Sequence, residues 1–139
     1  YNVAIVGGGN RVAELREVCR NVEGIHITGY VDDFSEVLRD VQICMAPLIS
    51  GAGIRGKLHQ FAALRKAFVT TSLGAHGVTY KHQESSLIAD HPKEFAKAIE
   101  TLLKDGRLRE KIANNALDIV SKEYSWKSVI KKIETIYAT

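Results

Sequence analysis

The densest chemistry in this sequence lies in Pro47-Leu48-Ile49-Ser50-Gly51-Ala52-Gly53-Ile54-Arg55-Gly56-Lys57. Gly51, Gly53 and Gly56 let a ligand approach the backbone closely. The apolar positions that follow, Ile54, Leu58, Phe61 and Ala62, step by three and four and predict a helix that begins here. A helix start presents unpaired N–H groups and the positive end of its dipole, and both favour an anion. Arg55 and Lys57 add two cations. A guanidinium can fork onto phosphate oxygens, while an ammonium acts as a point charge. A diphosphate is the natural guest of such a loop. Gln60, three residues beyond Lys57, carries an amide able to donate to and accept from a sugar or ribose diol. The plainer readings are a mobile loop with ordinary surface cations, and a glutamine on a solvated helix face.

Two other loops follow predicted strands. Gly7-Gly8-Gly9-Asn10-Arg11 suggests a dinucleotide fingerprint, but the third glycine falls on Val12, and no acid closes the second strand at His26-Ile27-Thr28 to hold a ribose hydroxyl. A tight strand-to-helix turn explains it as well. In Gly29-Tyr30-Val31-Asp32-Asp33 the two adjacent carboxylates point in different directions, which suits a helix cap before Phe34 better than a cation needing converging oxygens. The five histidines, at 26, 59, 76, 82 and 91, have no metal-ligand spacing, so no metal is expected. No nucleophile–base pair stands out. The chemistry left is electrostatic support of a departing phosphate.

The elements that must position these loops alternate. Strand-like runs at 3–6, 26–28, 41–46, 67–71 and 87–89 are separated by helical patterns, and the third and fourth are nearly all apolar, as parallel strands covered on both faces should be. This predicts a three-layer α/β/α domain over 1–139 with a mostly parallel five-stranded sheet. The first helix should bury Leu15, Val18, Cys19 and Val22, and three helices close the chain, the last striped by Trp126, Val129, Ile130, Ile133 and Tyr137. Pro92 suits a first helical turn and Ser125 an N-cap. With 139 residues, 45% of them hydrophobic and 25% charged, there is material for one ordinary core and no sign of disorder. No apolar run approaches the roughly 20 residues of a membrane span, and neither a leader nor an anchor is read. Cys19 and Cys44 fall at apolar positions and read as buried thiols of a reducing compartment, hence the cytoplasm. The net charge of +3 gathers late, from Lys104 to Lys132, either as a solvated helix face or as attraction to an anionic membrane surface; no nucleic-acid partner is expected.

At this point the residues resemble a known family. Gly53-Ile54-Arg55-Gly56-Lys57-Leu58-His59-Gln60-Phe61-Ala62-Ala63-Leu64 and the strand after it look like the donor-site segment of GT-B glycosyltransferases, the large retaining family 4. Ala4-Ile5-Val6-Gly7-Gly8-Gly9, Val41-Gln42-Ile43-Cys44-Met45-Ala46-Pro47, Ser72-Leu73-Gly74-Ala75-His76-Gly77 and Tyr124-Ser125-Trp126 are similar to that family's C-terminal domain, in the same order. The resemblance implies a Rossmann-like domain that binds a nucleotide-diphosphate sugar. The whole enzyme would transfer a hexosyl unit, with retention, to a glycan or lipid-linked acceptor, without a cofactor or essential metal. Residues 29–33 would contact the base and Gln60 the ribose, with Arg55, Lys57 and the helix start on the diphosphate. The implied donor set is Gly8, Gly29, Tyr30, Val31, Gly53, Ile54, Arg55, Lys57 and Gln60. Two glutamates common in the family correspond to Ala52 and Gln60, which shifts weight to the backbone N–H groups of Gly53, Ile54 and Arg55. The family's Gly-Lys-Pro reads Arg65-Lys66-Ala67, a change expected to alter a turn more than a site.

The family's domain also begins with one further strand and helix carrying an Arg/Lys pair, and is preceded by an acceptor domain. Neither lies within this sequence, so the chain alone is expected to be inactive. The family's strand order would put that strand in the centre of the sheet. The five strands here are then expected to close up in the order 2-1-3-4-5; a groove would instead expose strand edges and favour a dimer. Two rival readings are a non-catalytic Rossmann-like interaction module and a fragment of a dinucleotide oxidoreductase.

Overall fold

The computed structural model describes residues 1–51, 53 and 55–137. The chain gathers into two compact units, Tyr1–Arg39 and Asp40–Thr139.

In the first unit, β1 (Val3–Val6) pairs in parallel with β2 (Ile25–Gly29), Val3 opposite Ile25. Between them runs α1 (Val12–Cys19), and α2 (Phe34–Leu38) closes the unit. Asp33 caps α2 by accepting from the Ser35 N–H at 2.8 Å and the Ser35 hydroxyl at 2.6 Å, which is the role expected of this acidic pair. Those bonds hold its carboxyl below the usual range, the hydroxyl contributing most. The expected apolar face of α1 is not realised in full. Leu15 and Cys19 are half-buried, but Val18 and Val22 are 73% and 52% exposed. The helix stops at Cys19 after little more than two turns, and the two-stranded sheet beneath it is too narrow to cover a longer stripe.

The second unit holds β3 (Ile43–Ala46), α3 (Gly56–Ala63), β4 (Ala67–Thr70), a short α4 (Ser72–Ala75) and β5 (Leu87–Ile88). Three long helices follow, α5 (Pro92–Lys104), α6 (Gly106–Glu123) and α7 (Trp126–Tyr137). The sheet runs β3-β4-β5, all parallel, with Ile43 opposite Ala67 and Val69 opposite Leu87. β4 is the middle strand and all four of its residues are buried. Successive side chains leave it on opposite faces. Ala67 and Val69 pack with Leu87, Leu102, Ile112 and Ala113, while Phe68 meets Phe61 of α3 at 6.1 Å and the edge of Tyr80 at 5.2 Å. Helices therefore cover both faces, and the Rossmann-like α/β character expected of the sequence is present.

One part of that expectation is corrected. The five parallel strands form two sheets, β1-β2 and β3-β4-β5, in place of one. A strand in the middle of a parallel sheet is covered on both faces. None of the four residues of β1 is buried, and its ladder is made with β2 alone.

Strand ends have local causes. β3 starts at Ile43, not Val41, because Lys66 Nζ takes the Val41 carbonyl at 2.9 Å. β4 stops before Thr71 because that side chain turns to cap α4, accepting from the Gly74 N–H at 3.1 Å. Pro92 stands in the first turn of α5, and Ser125 accepts from the Ser128 N–H at the start of α7, as read from the sequence. Arg65, at the position where the resembled family carries glycine, is left-handed at φ 53; its guanidinium is tied to Asn114 at 2.6 Å and Glu110 at 3.1 Å. Cys44 is buried and its thiol is pushed up to about 12 by desolvation, whereas Cys19 is only half-buried. Among the described residues no helix is long and apolar enough to cross a membrane.

The stripe on α7 is turned to solvent, with Trp126 81% exposed and Ile130, Ile133 and Tyr137 also open. Burial thus separates two apolar helix residues sharply. Leu102→Ala should lower unfolding free energy by about 2–5 kcal/mol because a fully buried side chain leaves a cavity. Ile133→Ala should stay within about 0.5 kcal/mol in the isolated chain. Urea unfolding followed by circular dichroism checks both, and equal losses would contradict the packing described.

Candidate functional site

Two threonines at the end of β4 anchor the loop that leaves β3. Thr70 Oγ1 donates to the Ala46 carbonyl at 3.1 Å, and Thr71 Oγ1 donates to the Leu48 carbonyl at 2.6 Å. The loop then passes through Gly51 and Gly53, at φ 119 and 101, a region that side chains with a Cβ rarely enter. It ends at Arg55, the N-cap residue of α3.

Donors dominate this corner. Arg55 offers the helix no side-chain cap, and no residue of the first turn is acidic. Leu58 N–H closes back on the Arg55 carbonyl at 2.9 Å, leaving the earlier N–H groups of the turn without a capping side chain. Arg55 Nη2 donates to the Leu73 carbonyl at 3.1 Å and, at 3.5 Å, to that of Gly51. Its Nε is buried and has no hydrogen-bond partner. A buried donor left unmade costs about 1–3 kcal/mol, so this guanidinium is suited to a ligand oxygen.

Gly51, Gly53 and Arg55 form one wall of an open cleft of about 960 Å³. Leu73 and His76, from the segment after β4, line it too, with His59, Tyr124 and Trp126. His59 is one helical turn beyond Arg55, so the two share a face of α3. Its Nδ1 lies 3.0 Å from the Tyr80 hydroxyl, and its ring sits 4.0 Å from that of Tyr124 at 31°. Burial lowers the His59 pKa and raises that of Tyr80, so the pair shares one proton between neutral groups. Tyr124 is fixed in turn, since its hydroxyl accepts from the Thr79 N–H at 3.1 Å.

Of the residues expected in a donor site, the structure brings Gly53 and Arg55 together in this cleft. Lys57 and Gln60 are exposed on another face of α3 and do not line it. Ile54 and Ala52 lie outside the described residues. The remaining candidates belong to the first unit. Gly8 lines a separate cavity of about 610 Å³ beside Gly7, Gly9 and Asn10, and a Cβ at Gly8 would stand 3.3 Å from that of Tyr30. Gly29 has φ 77 and its carbonyl accepts from the Gly7 N–H at 2.9 Å, Tyr30 is 77% exposed, and Val31 is half-buried; none of these three lines either cavity. Arg11 is held by both oxygens of Glu14, at 2.8 and 2.7 Å. Among the described residues no three His, Cys, Asp or Glu side chains converge to hold a metal ion.

Sequence reasoning missed His59, His76, Tyr124 and Trp126 as cleft residues. The four-residue spacing of Arg55 and His59 was the only local signal for any of them.

The sequence profile described as Glycosyl transferases group 1 matches residues 1–105. The chain belongs to that family. It is similar to an uncharacterized glycosyltransferase of Methanocaldococcus jannaschii, 27% identical over 140 residues, and to the putative glycosyltransferase YtcC of Bacillus subtilis, 32% identical over 72 residues. These alignments cover 96% and 50% of this chain but 36% and 18% of the relatives, so the chain spans about a third of the archaeal protein's length. Among solved structures, Anabaena HepE in complex with UDP superposes with a TM-score of 0.87 at 17% identity, covering 99% of this chain and 41% of HepE. Staphylococcus aureus TarM, in complex with fondaparinux, alpha-GlcNAc-glycerol and UDP, gives 0.79 at 17% identity, covering 99% and 29%. At such identities the likeness is one of fold.

The His59 environment makes stability depend on pH in a defined direction. Its pKa is lower in the folded chain than in the unfolded one, so the unfolded state binds the proton first. Stability present above the unfolded value of about 6.5 is lost as pH falls through the folded value. The urea midpoint should therefore drop on acidification from about pH 7.5 to 5.5, and His59→Gln should flatten that slope. An unchanged slope in the variant would remove His59 from the account.

Proposed function

We propose that this chain is the nucleotide-diphosphate-sugar-binding part of a retaining glycosyltransferase that moves a hexosyl unit to a glycan or lipid-linked acceptor. The observation that carries the proposal is Arg55, set at the uncapped start of α3 with a buried, unpartnered Nε. Family membership gives the reaction class, and HepE and TarM, both solved with UDP, support a nucleotide ligand.

In glycosyl transfer from such a donor, the bond between the sugar's anomeric carbon and the diphosphate oxygen breaks, and negative charge grows on the departing phosphate. Donors already aimed at that charge stabilise the transition state without reorganising. Here they would be the Arg55 guanidinium and the first N–H groups of α3, with the ammonium of Lys57, exposed on another face of the helix, adding its charge at longer range. Gln60, exposed on α3 outside the cleft, would take a ribose hydroxyl pair as a neutral amide from a nucleoside that extends past the helix start. The acceptor and the rest of the catalytic apparatus would come from further parts of a longer enzyme.

Calorimetric titration with UDP-, GDP- and ADP-sugars tests this. One of them should bind. Arg55→Ala should weaken it about 10-fold or more, because hydrogen bonds to ionised groups contribute about 1.5–3 kcal/mol. Lys57→Ala should weaken it about 2- to 5-fold, as suits an exposed point charge. Silence with all three nucleotide sugars would sink the proposal and leave a non-catalytic module in its place.

A further inference from the structure

Asp90 lies one residue before His91, the N-cap of α5, and so outside the position from which a side chain ordinarily caps the helix. α5 has no side-chain cap. Both carboxylate oxygens turn instead to a single residue on the neighbouring strand's exit. Oδ1 accepts from the Ser72 N–H and Oδ2 from the Ser72 hydroxyl, each at 2.7 Å.

Ser72 begins a four-residue turn that is fixed from three directions. Thr71 Oγ1 bonds the Gly74 N–H within it and the Leu48 carbonyl outside it. Gly74 is buried so closely that a Cβ there would stand 2.1 Å from Thr70 Oγ1. Ala89, directly before Asp90, donates its N–H to the Thr70 carbonyl at 2.9 Å. What this framework delivers to the cleft is the Leu73 carbonyl, and that carbonyl is the acceptor holding Arg55 Nη2 at 3.1 Å.

We propose that Asp90 is a positioning residue for Arg55: its two bonds to Ser72 fix the Leu73 carbonyl, which sets the guanidinium at the start of α3. The inference rests on the donor-binding role given above to Arg55. Asp90 touches no ligand itself. A carboxylate suits the task because it accepts two hydrogen bonds at once from one residue's N–H and O–H, and so fixes both the position and the rotation of the Ser72 peptide. The Leu73 carbonyl belongs to the peptide that carries the Gly74 N–H, two peptides further along the same four-residue turn; Thr71 Oγ1 holds that N–H, and Asp90 holds the residue from which the turn starts.

A double-mutant cycle read by UDP titration separates this from a general structural role. The proteins are the unaltered chain, Asp90→Ala, Arg55→Ala and the double variant, each with its thermal midpoint recorded. Asp90→Ala should weaken UDP binding about 3- to 10-fold when Arg55 is present and leave it unchanged when Arg55 is alanine. Asp90→Asn keeps one acceptor for the Ser72 N–H and should recover most of the affinity. If Asp90→Ala does not fold, Ser72→Ala, which removes only the hydroxyl bond, should show the same dependence on Arg55 with a smaller loss. Unchanged UDP affinity in Asp90→Ala, or an equal loss in both Arg55 backgrounds, overturns the positioning role while leaving donor binding intact. If the unaltered chain takes up GDP or ADP in place of UDP, the same cycle is read with that nucleotide; uptake of none of the three overturns the donor reading, and the Asp90 assignment with it.

Discussion

The second unit is organised by the demand that β4 be covered on every side. Its four residues are buried, its two edges are both used, and its two faces meet different partners. A strand with no exposed face needs helices above and below, which explains why α3 supplies Phe61 to one face while α5 and α6 bring Leu102 and Ile112 to the other. The same strand ends in a threonine, Thr70, and a second, Thr71, follows it. Buried hydroxyls must find acceptors, and Thr70 and Thr71 find them in the carbonyls of the β3 exit. Core packing and the placement of the site loop are thus joined through two adjacent side chains.

From that anchor the site is built as an excess of donors. Gly51 and Gly53 bend the loop through conformations open to glycine, Arg55 arrives with Nη2 occupied and Nε unoccupied, and the helix behind it has no acidic residue to neutralise its start. The aromatic lining of the cleft behaves differently. His59 and Tyr124 lie ring against ring there, and His59 is hydrogen-bonded behind the cleft to the buried Tyr80; burial lowers the His59 pKa and raises that of Tyr80. The cleft is therefore asymmetric, with a cationic, unsatisfied side and an aromatic, satisfied side.

Much of this was legible in the residues and some was not, for physical reasons. All five strands fall where strand-like runs were read, and the two nearly all-apolar runs became β3 and β4, the strands with most buried residues. Their ends were displaced by side chains competing for the backbone, Lys66 at Val41 and Thr71 at Gly74, which no periodicity records. The division into two sheets was not legible, since an apolar run states that a strand is covered without naming its neighbour. The α1 stripe failed for a related reason: Val18 and Val22 have the right spacing, but spacing does not supply a surface to cover them. At the site, the glycine loop and Arg55 could be read because their chemistry is local. Tyr124 and Trp126 could not, because their place in the cleft is set by how the end of α6 meets Thr79 and Tyr80.

The uncapped start of α3 has a consequence for the chain as a folding unit. In the donor-binding role proposed above, an oxygen ligand that meets the α3 N–H groups and the buried Arg55 Nε would add its binding free energy to that of folding. Ligand concentration then becomes a determinant of how much of the chain is folded. A substitution in this loop is screened twice, once for what it does to the bound molecule and once for what it does to the abundance of the protein.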